Sequence, residues 1–312
     1  MQVEQAHAKL KAVMGKSRVK RDEPMMRHTS FRIGGPADLL ICPETREQLL
    51  YAYRTAREYD LPVFLMGNGS NLLVGDAGIR GMVIKTSGAY EDIDFDGERA
   101  LAQSGILLSK LTNTALKHGL TGLEFACGIP GSLGGAVVMN AGAYGGQMSD
   151  VVETVTAYDP QTDTVRTFAE DALDYGYRHS VFRDRELIVL EAVLALRRGD
   201  AAKSKETVTD LNCRRREKQP LDMPSAGSVF KRPEGYYAGT LIQESGCKGL
   251  RVGDAMVSEK HAGFIVNVGK ATAGDVLELI EKIRRTVHAE AGVWLETEIH
   301  RVGEMPAGYQ EH

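Results

Sequence analysis

Residues 122–146 read GLEFACGIPGSLGGAVVMNAGAYGG, with eight glycines in 25 positions against 34 in the 312 of the whole chain. Packing does not account for this excess, because glycine buries no side chain and loses the most backbone freedom on ordering. Bare backbone is useful where amides must come close to an anion. Pro130 stiffens the first turn, while Ser132 and Asn140 place hydrogen-bonding groups among small residues. The stretch reads as a cradle for a diphosphate.

A second glycine loop lies upstream. A short apolar strand is expected over 63–66, and it runs directly into GNGSNLLVGD at 67–76. A dinucleotide fingerprint fails here, since Leu72 stands where the third glycine belongs and 75–85 reads as turn and strand instead of helix. No GK[ST] follows a glycine run, which excludes a Walker loop. Taken alone, the loop reads equally as a β-turn with an Asx bond from Asn68 or Asn71.

Elsewhere the periodicity is mixed. Val3, Ala6, Leu10 and Val13 predict an amphipathic helix, and Phe31, Arg32 and Ile33 a strand entering a Gly34-Gly35-Pro36 turn. Thr45 with Gln48 predicts a capping box for a helix bearing Leu49, Ala52, Tyr53 and Ala56. Leu108, Leu111 and Ala115 mark another helix, ended at Gly119. A hairpin is expected over 151–158 and 164–168, and an apolar strand over 187–196. Residues 199–205 read as a linker, and 224–239 as an open loop system. Val208, Leu211 and Arg215 predict a helix between them whose arginine run, 214–216, reads as a solvated face without chemistry. Thr272 caps a final helix carrying Val276, Ile280, Ile283 and Val287 and stopped by Gly292. A closing strand over 293–302 puts Val293, Leu295, Thr297 and Ile299 on one face, and Trp294, Glu296, Glu298 and His300 on the other.

Composition narrows the class. A net charge of −4 and a pI near 6.1 argue against a nucleic-acid partner, and 43% hydrophobic content is enough for a sizeable core. Cys42, Cys127, Cys213 and Cys247 are scattered without metal-ligand spacing, so reduced thiols and no metal centre are expected. No apolar run is long enough for membrane insertion, and the first 27 residues lack a signal-peptide core, which points to the cytoplasm.

Three groups of residues together resemble one family. They are HTSFRIGGPAD (28–38) with GNGSNLLV (67–74), then GIPGSLGGAVVMNAGAYGG (128–146), then YRHSVFR (177–183) with SAGSVFKRP (225–233). In order and spacing, over roughly residues 20–304, they resemble the UDP-N-acetylenolpyruvoylglucosamine reductases, in their shorter subclass. The resemblance implies an α+β fold: a p-cresol methylhydroxylase-type FAD-binding module over 34–199, a C-terminal α+β substrate-binding domain over 206–305, and an N-terminal segment, 1–33, packed on the module. It implies FAD held by Gly67, Asn68, Gly69, Ser70, Asn71, Leu72, Gly128, Ile129, Pro130, Gly131, Ser132, Gly134, Gly135, Asn140 and Gly142. NADPH and UDP-N-acetylglucosamine enolpyruvate are the implied small-molecule partners.

The implied chemistry is hydride addition to an enolpyruvyl double bond, which needs a stabiliser of the developing enolate and a proton donor. By resemblance these are Arg178 in YRHS and Ser228 in GSVFK, with Ser225 the rival donor. Glu298, five residues before Gly303 in EIHRVG, completes the set; strand alternation alone leaves Glu296 equally open. Tyr177, Lys231, Arg232, Gln243 and Lys248 are the implied substrate contacts, although Arg232 stands where many members have asparagine.

Overall fold

The computed structural model describes residues 1–308 and contains three main sheets. The first has the order Val19–Pro24, Pro36–Ile41, Ile79–Lys85, Val63–Met66, antiparallel at its first pair and parallel thereafter. Strand alternation sends Leu39, Ile41, Met82 and Ile84 to one face, where the helices Gln2–Met14 and Arg46–Glu58 cover them. The second sheet is antiparallel throughout, in the order Thr164–Ala169, Val152–Asp159, Ile188–Ala195, Arg99–Gln103, Ile93–Asp96. Leu108, Leu111 and Ala115 of the Leu108–Lys117 helix and Leu133, Ala136 and Val137 of the Leu133–Val138 helix complete its core. The third sheet, Ser225–Ser228, Phe264–Asn267, Ala255–Val257, Arg251–Val252, is covered by the Ala273–Ala291 helix. That helix buries the expected Val276, Ile280, Ile283 and Val287.

The halves interlock. His300–Val302 pairs in parallel with Leu72–Val74, the strand that leaves the upstream glycine loop. Phe31, Ile33 and Leu73 are buried in the core of the third sheet. The expected strand over 31–33 is therefore a loop, with Arg32 at φ 55° and Phe31 wholly buried. Just after it, Gly35 packs against the Asp76 carbonyl, which a Cβ would approach to 2.1 Å. The strand itself starts at Pro36, the first position, where a missing N–H is tolerated.

Other expectations need correction. Residues 201–205 open the Ala201–Lys218 helix, because Asp200 caps it by accepting the amides of Ala202 and Lys203. The 224–239 loop system contains the irregular strand Ser225–Ser228 and the start of the Ala238–Glu244 helix. The closing strand is regular only over His300–Val302, although Leu295 and Ile299 are buried as expected and Trp294 is exposed. Thr45 caps its helix, but Gln48 reaches the Glu44 amide, so the reciprocal box is not closed. Met14, and not Val13, completes the N-terminal apolar stripe. The 151–158 and 164–168 hairpin forms as Val152–Asp159 and Thr164–Ala169.

Candidate active site

The two glycine loops face each other. A Cβ on Gly67 would lie 1.9 Å from Ser132 Oγ, and one on Gly131 would lie 3.9 Å from Ser70 Oγ. Asn68 Nδ2 donates to the Pro130 carbonyl at 2.6 Å, which ties the loops together. Gly69 sits at φ 66°, with the His28 carbonyl where its Cβ would be. Among the described residues, the amides of Asn68, Gly69, Ser70 and Asn71 bond to no protein acceptor. Ser132, at the N-cap of Leu133–Val138, makes no capping bond, and its buried hydroxyl has no partner; nor does that of Ser104, beside Gly134. Bare amides and orphaned buried hydroxyls suit the oxygens of a dinucleotide diphosphate and ribityl chain, so this surface fits FAD. Ser104 carried no motif and was missed in the sequence. Leu72 is absorbed in its strand. Gly128 and Ile129 lead into Pro130, and Gly134 and Gly135 lie in the first turn of the helix.

Asn140 and Gly142 are used differently. The Asn140 amide is consumed internally, Nδ2 donating to the Gly176 carbonyl and Oδ1 accepting from the Ser149 amide, each at 3.0 Å. Gly142 pairs with Gln147 in a two-residue ladder. The Asn140 contact instead holds the tight turn at 176–179, as does Ser180 Oγ donating to Val138 O at 2.7 Å. Within that turn Arg178 adopts φ 57°, a left-handed conformation uncommon for a non-glycine residue and found where surroundings enforce it.

Arg178 Nε donates to Glu298 Oε1 at 2.7 Å, and both side chains are mostly buried. Glu298 is fixed by its amide donating to Val229 O at 2.7 Å and by Asn71 Nδ2 donating to its carbonyl at 3.1 Å. Ser228 Oγ donates to Phe230 O at 3.2 Å, after Gly227 at φ 80°. Arg178, Ser228 and Glu298, from segments 50 to 120 residues apart in sequence, line one cavity of about 450 Å³. Glu296, 71% exposed, instead pairs with Lys231 at 3.1 Å. Ser225 is not in the cavity lining, and its carbonyl accepts from Ser30 Oγ at 2.7 Å.

Tyr177, Arg232 and Gln243 also line the cavity, while Lys231 and Lys248 do not. The Arg232 guanidinium lies 4.1 Å from the Tyr237 ring centroid, and its amide donates to Tyr177 Oη at 3.3 Å. Lys260 and His261 also line it, without any motif having marked them. Burial pushes the His261 pKa down, with the Lys248 charge adding to the effect. Folding also gathers Asp174, His179 and Asp184 around the Arg178 turn, with ligand atoms within 4.8 Å of one another; they brace the turn by contacts of 3.2 and 3.6 Å.

A family model described as "FAD binding domain" matches residues 37–167, and one described as "UDP-N-acetylenolpyruvoylglucosamine reductase, C-terminal domain" matches 219–302. A UDP-N-acetylenolpyruvoylglucosamine reductase of Alkaliphilus oremlandii is 52% identical over 96% of this chain and 98% of its own length. That of Caldanaerobacter subterraneus subsp. tengcongensis is 50% identical over 95% of this chain and 97% of its own. The crystal structure of the reductase (MurB) from Thermus caldophilus superposes with a TM-score of 0.79 at 38% identity, covering 91% of this chain and 99% of that one. No helix among the described residues is long and apolar enough to cross a membrane. The α+β arrangement, an FAD-binding module followed by a reductase C-terminal domain, is thus the one expected from the resemblance, and the chain belongs to the UDP-N-acetylenolpyruvoylglucosamine reductase family.

Proposed function

We propose that this chain uses NADPH and FAD to reduce the enolpyruvyl double bond of UDP-N-acetylglucosamine enolpyruvate, giving UDP-N-acetylmuramate for peptidoglycan synthesis. The supporting observation is the 2.7 Å Arg178–Glu298 pair, in one cavity with Ser228 and bonded through Glu298 O to the Asn71 loop. When bound, FAD carries hydride from NADPH to the β-carbon of the double bond.

The residues then have separable tasks. Addition at the β-carbon leaves negative charge on the α-carbon and its carboxylate. Glu298 holds Arg178 through Nε, which leaves both Nη groups for that charge. The Ser228 hydroxyl donates a proton to the α-carbon, a centre basic enough to take one from a weak acid. Hydride and proton together account for the two hydrogens of the product. Tyr177, Arg232 and Gln243, with Lys260 and His261, line the cavity and are proposed to hold the sugar nucleotide; Lys231 and Lys248 lie outside that lining.

We read residues 34–199 as the FAD module and 206–305 as the substrate domain, with 1–33 packed on the module except at Phe31 and Ile33. A cytoplasmic setting suits the four free cysteines and the nucleotide substrates. The test is spectroscopic. The purified protein should be yellow, release FAD on denaturation, bleach anaerobically with NADPH, and recolour on adding the enolpyruvyl substrate. A colourless protein that takes up no FAD contradicts the reading, as does a bleached flavin that only oxygen restores.

A further inference from the structure

His28 opens the HTSFRIGGPAD segment, and its side chain does not line the catalytic cavity. It sits instead between Glu23 of the Val19–Pro24 strand and Lys85, the last residue of the Ile79–Lys85 strand. His28 Nε2 is 2.9 Å from Glu23 Oε1, and His28 Nδ1 is 3.3 Å from Lys85 Nζ. A carboxylate only accepts and an ammonium only donates. The ring is therefore neutral, with Nε2–H donating to Glu23 and Nδ1 accepting from Lys85. The His28 and Glu23 side chains are only 12% and 14% exposed, while Lys85 is partly open to solvent. Amine, imidazole and carboxylate thus form a chain in which a third group orients the base, the arrangement that activates nucleophiles.

Among the described residues, Lys85 has no carboxylate partner, and His28 Nδ1 is its only hydrogen-bond acceptor. The other titratable groups facing the cluster are Cys42, Lys20 and Arg27. Lys20 and Arg27 approach Glu23 Oε1 at 3.6 and 4.0 Å, so they share its charge with His28. Burial lowers the Lys85 pKa, with the Lys20 charge acting in the same direction, and burial also lowers that of His28. A lysine in such surroundings holds more free amine near neutrality than an exposed one. Three cations, Lys20, Arg27 and Lys85, against one carboxylate attract an anionic reagent. Turning the amine into an amide removes a charge that the protein compensates poorly.

We propose that Lys85 is a modification site, acylated by small acyl phosphates, with His28 as the general base and Glu23 as the group that holds the imidazole. The Lys85 nitrogen attacks the acyl carbon; a C–N bond forms, and the C–O bond to phosphate breaks with its electron pair leaving on oxygen. His28 Nδ1 takes a proton from the attacking nitrogen and passes it to the departing phosphate. Amine and acyl phosphate thereby give amide and hydrogen phosphate, and no oxidant or reductant is needed.

The test treats the purified protein with acetyl phosphate at neutral pH and follows each lysine by peptide mass spectrometry. Lys16, exposed just past the Gln2–Met14 helix, is the reference. Lys85 should be acetylated at least roughly tenfold faster than Lys16, a modest share of what a positioned base supplies. Its rate should also level off at a lower pH than that of Lys16. His28→Gln cannot take the proton and should bring the Lys85 rate down to that of Lys16. Should that variant not fold, Glu23→Gln serves, because it loosens the ring and should lower the Lys85 rate while leaving that of Lys16. A parent protein in which Lys85 reacts no faster than Lys16 overturns the proposal, as does parental selectivity in a folded His28→Gln or Glu23→Gln protein.

Discussion

The proposed cofactor cradle and the proposed catalytic cavity are built from different materials. The cradle is mostly backbone: amides at 68–71, bare positions at Gly67 and Gly131, and two orphaned hydroxyls on Ser132 and Ser104. The cavity is made of side chains that converge from the 176–179 turn, the irregular Ser225–Ser228 strand and the closing segment. A backbone site announces itself by composition, because side chains must be missing wherever amides approach a ligand. A side-chain site depends on which distant segments meet, and composition is silent about that.

The contrast is open to attack by mutation, starting with the largest expected effect. Gly69→Ala combines a left-handed backbone with a clash on the His28 carbonyl, whereas Gly97→Ala has a similar φ, 59°, and open space around it. Gly69→Ala should lose FAD and melt well below the parent, while Gly97→Ala should cost about 1 kcal/mol and leave the yellow colour. Equal FAD retention in the two would remove the case for a backbone cradle.

Within the cavity, Glu298→Gln weakens the hold on Arg178, and reoxidation by substrate should slow roughly a hundredfold, as for other lost charge-stabilising contacts. Glu296→Gln removes only an exposed pair with Lys231 and should leave that rate unchanged. Matching losses in both variants would show that strand position, and not the pair with Arg178, sets the rate.

The smallest effect concerns pH. The folded-state pKa of His261 lies below its ordinary 6.5 through burial, so as pH drops past 6.5 the unfolded chain takes up a proton first. Its contribution to stability is therefore complete above about pH 6.5 and is lost as pH falls through the folded value. His261→Gln should flatten the fall in melting temperature between about pH 7 and 5. An unchanged slope would assign that fall to other groups, such as His28, which burial shifts in the same direction.

Much of this was legible in the sequence. Glycine density singled out the two loops that face each other, and periodicity found the long helices and the hairpin. Motif spacing favoured Glu298 over Glu296, a choice alternation could not make, and Glu298 is the one that pairs with Arg178 in the cavity. The misses have different physical causes. Phe31 and Ile33 read as strand because their burial comes from the core of the distant third sheet, which no local pattern reveals. Residues 201–205 read as linker because the capping role of Asp200 went unrecognised. Asn140, proposed as a cofactor contact, also bonds to the Gly176 carbonyl and the Ser149 amide through its side chain. Ser104, Lys260 and His261 sit in no motif and enter only through tertiary contact.

The most direct test of the cavity's role is anaerobic stopped-flow on Ser228→Ala, following flavin absorbance as NADPH and then the enolpyruvyl substrate are added. Reduction by NADPH should proceed at close to the parental rate, and reoxidation by substrate should fall by roughly a thousandfold, within the range of a lost general acid. Parental reoxidation, or equal loss of both half-reactions with FAD still bound, would contradict the assignment of Ser228 as the proton donor beside Arg178 and Glu298.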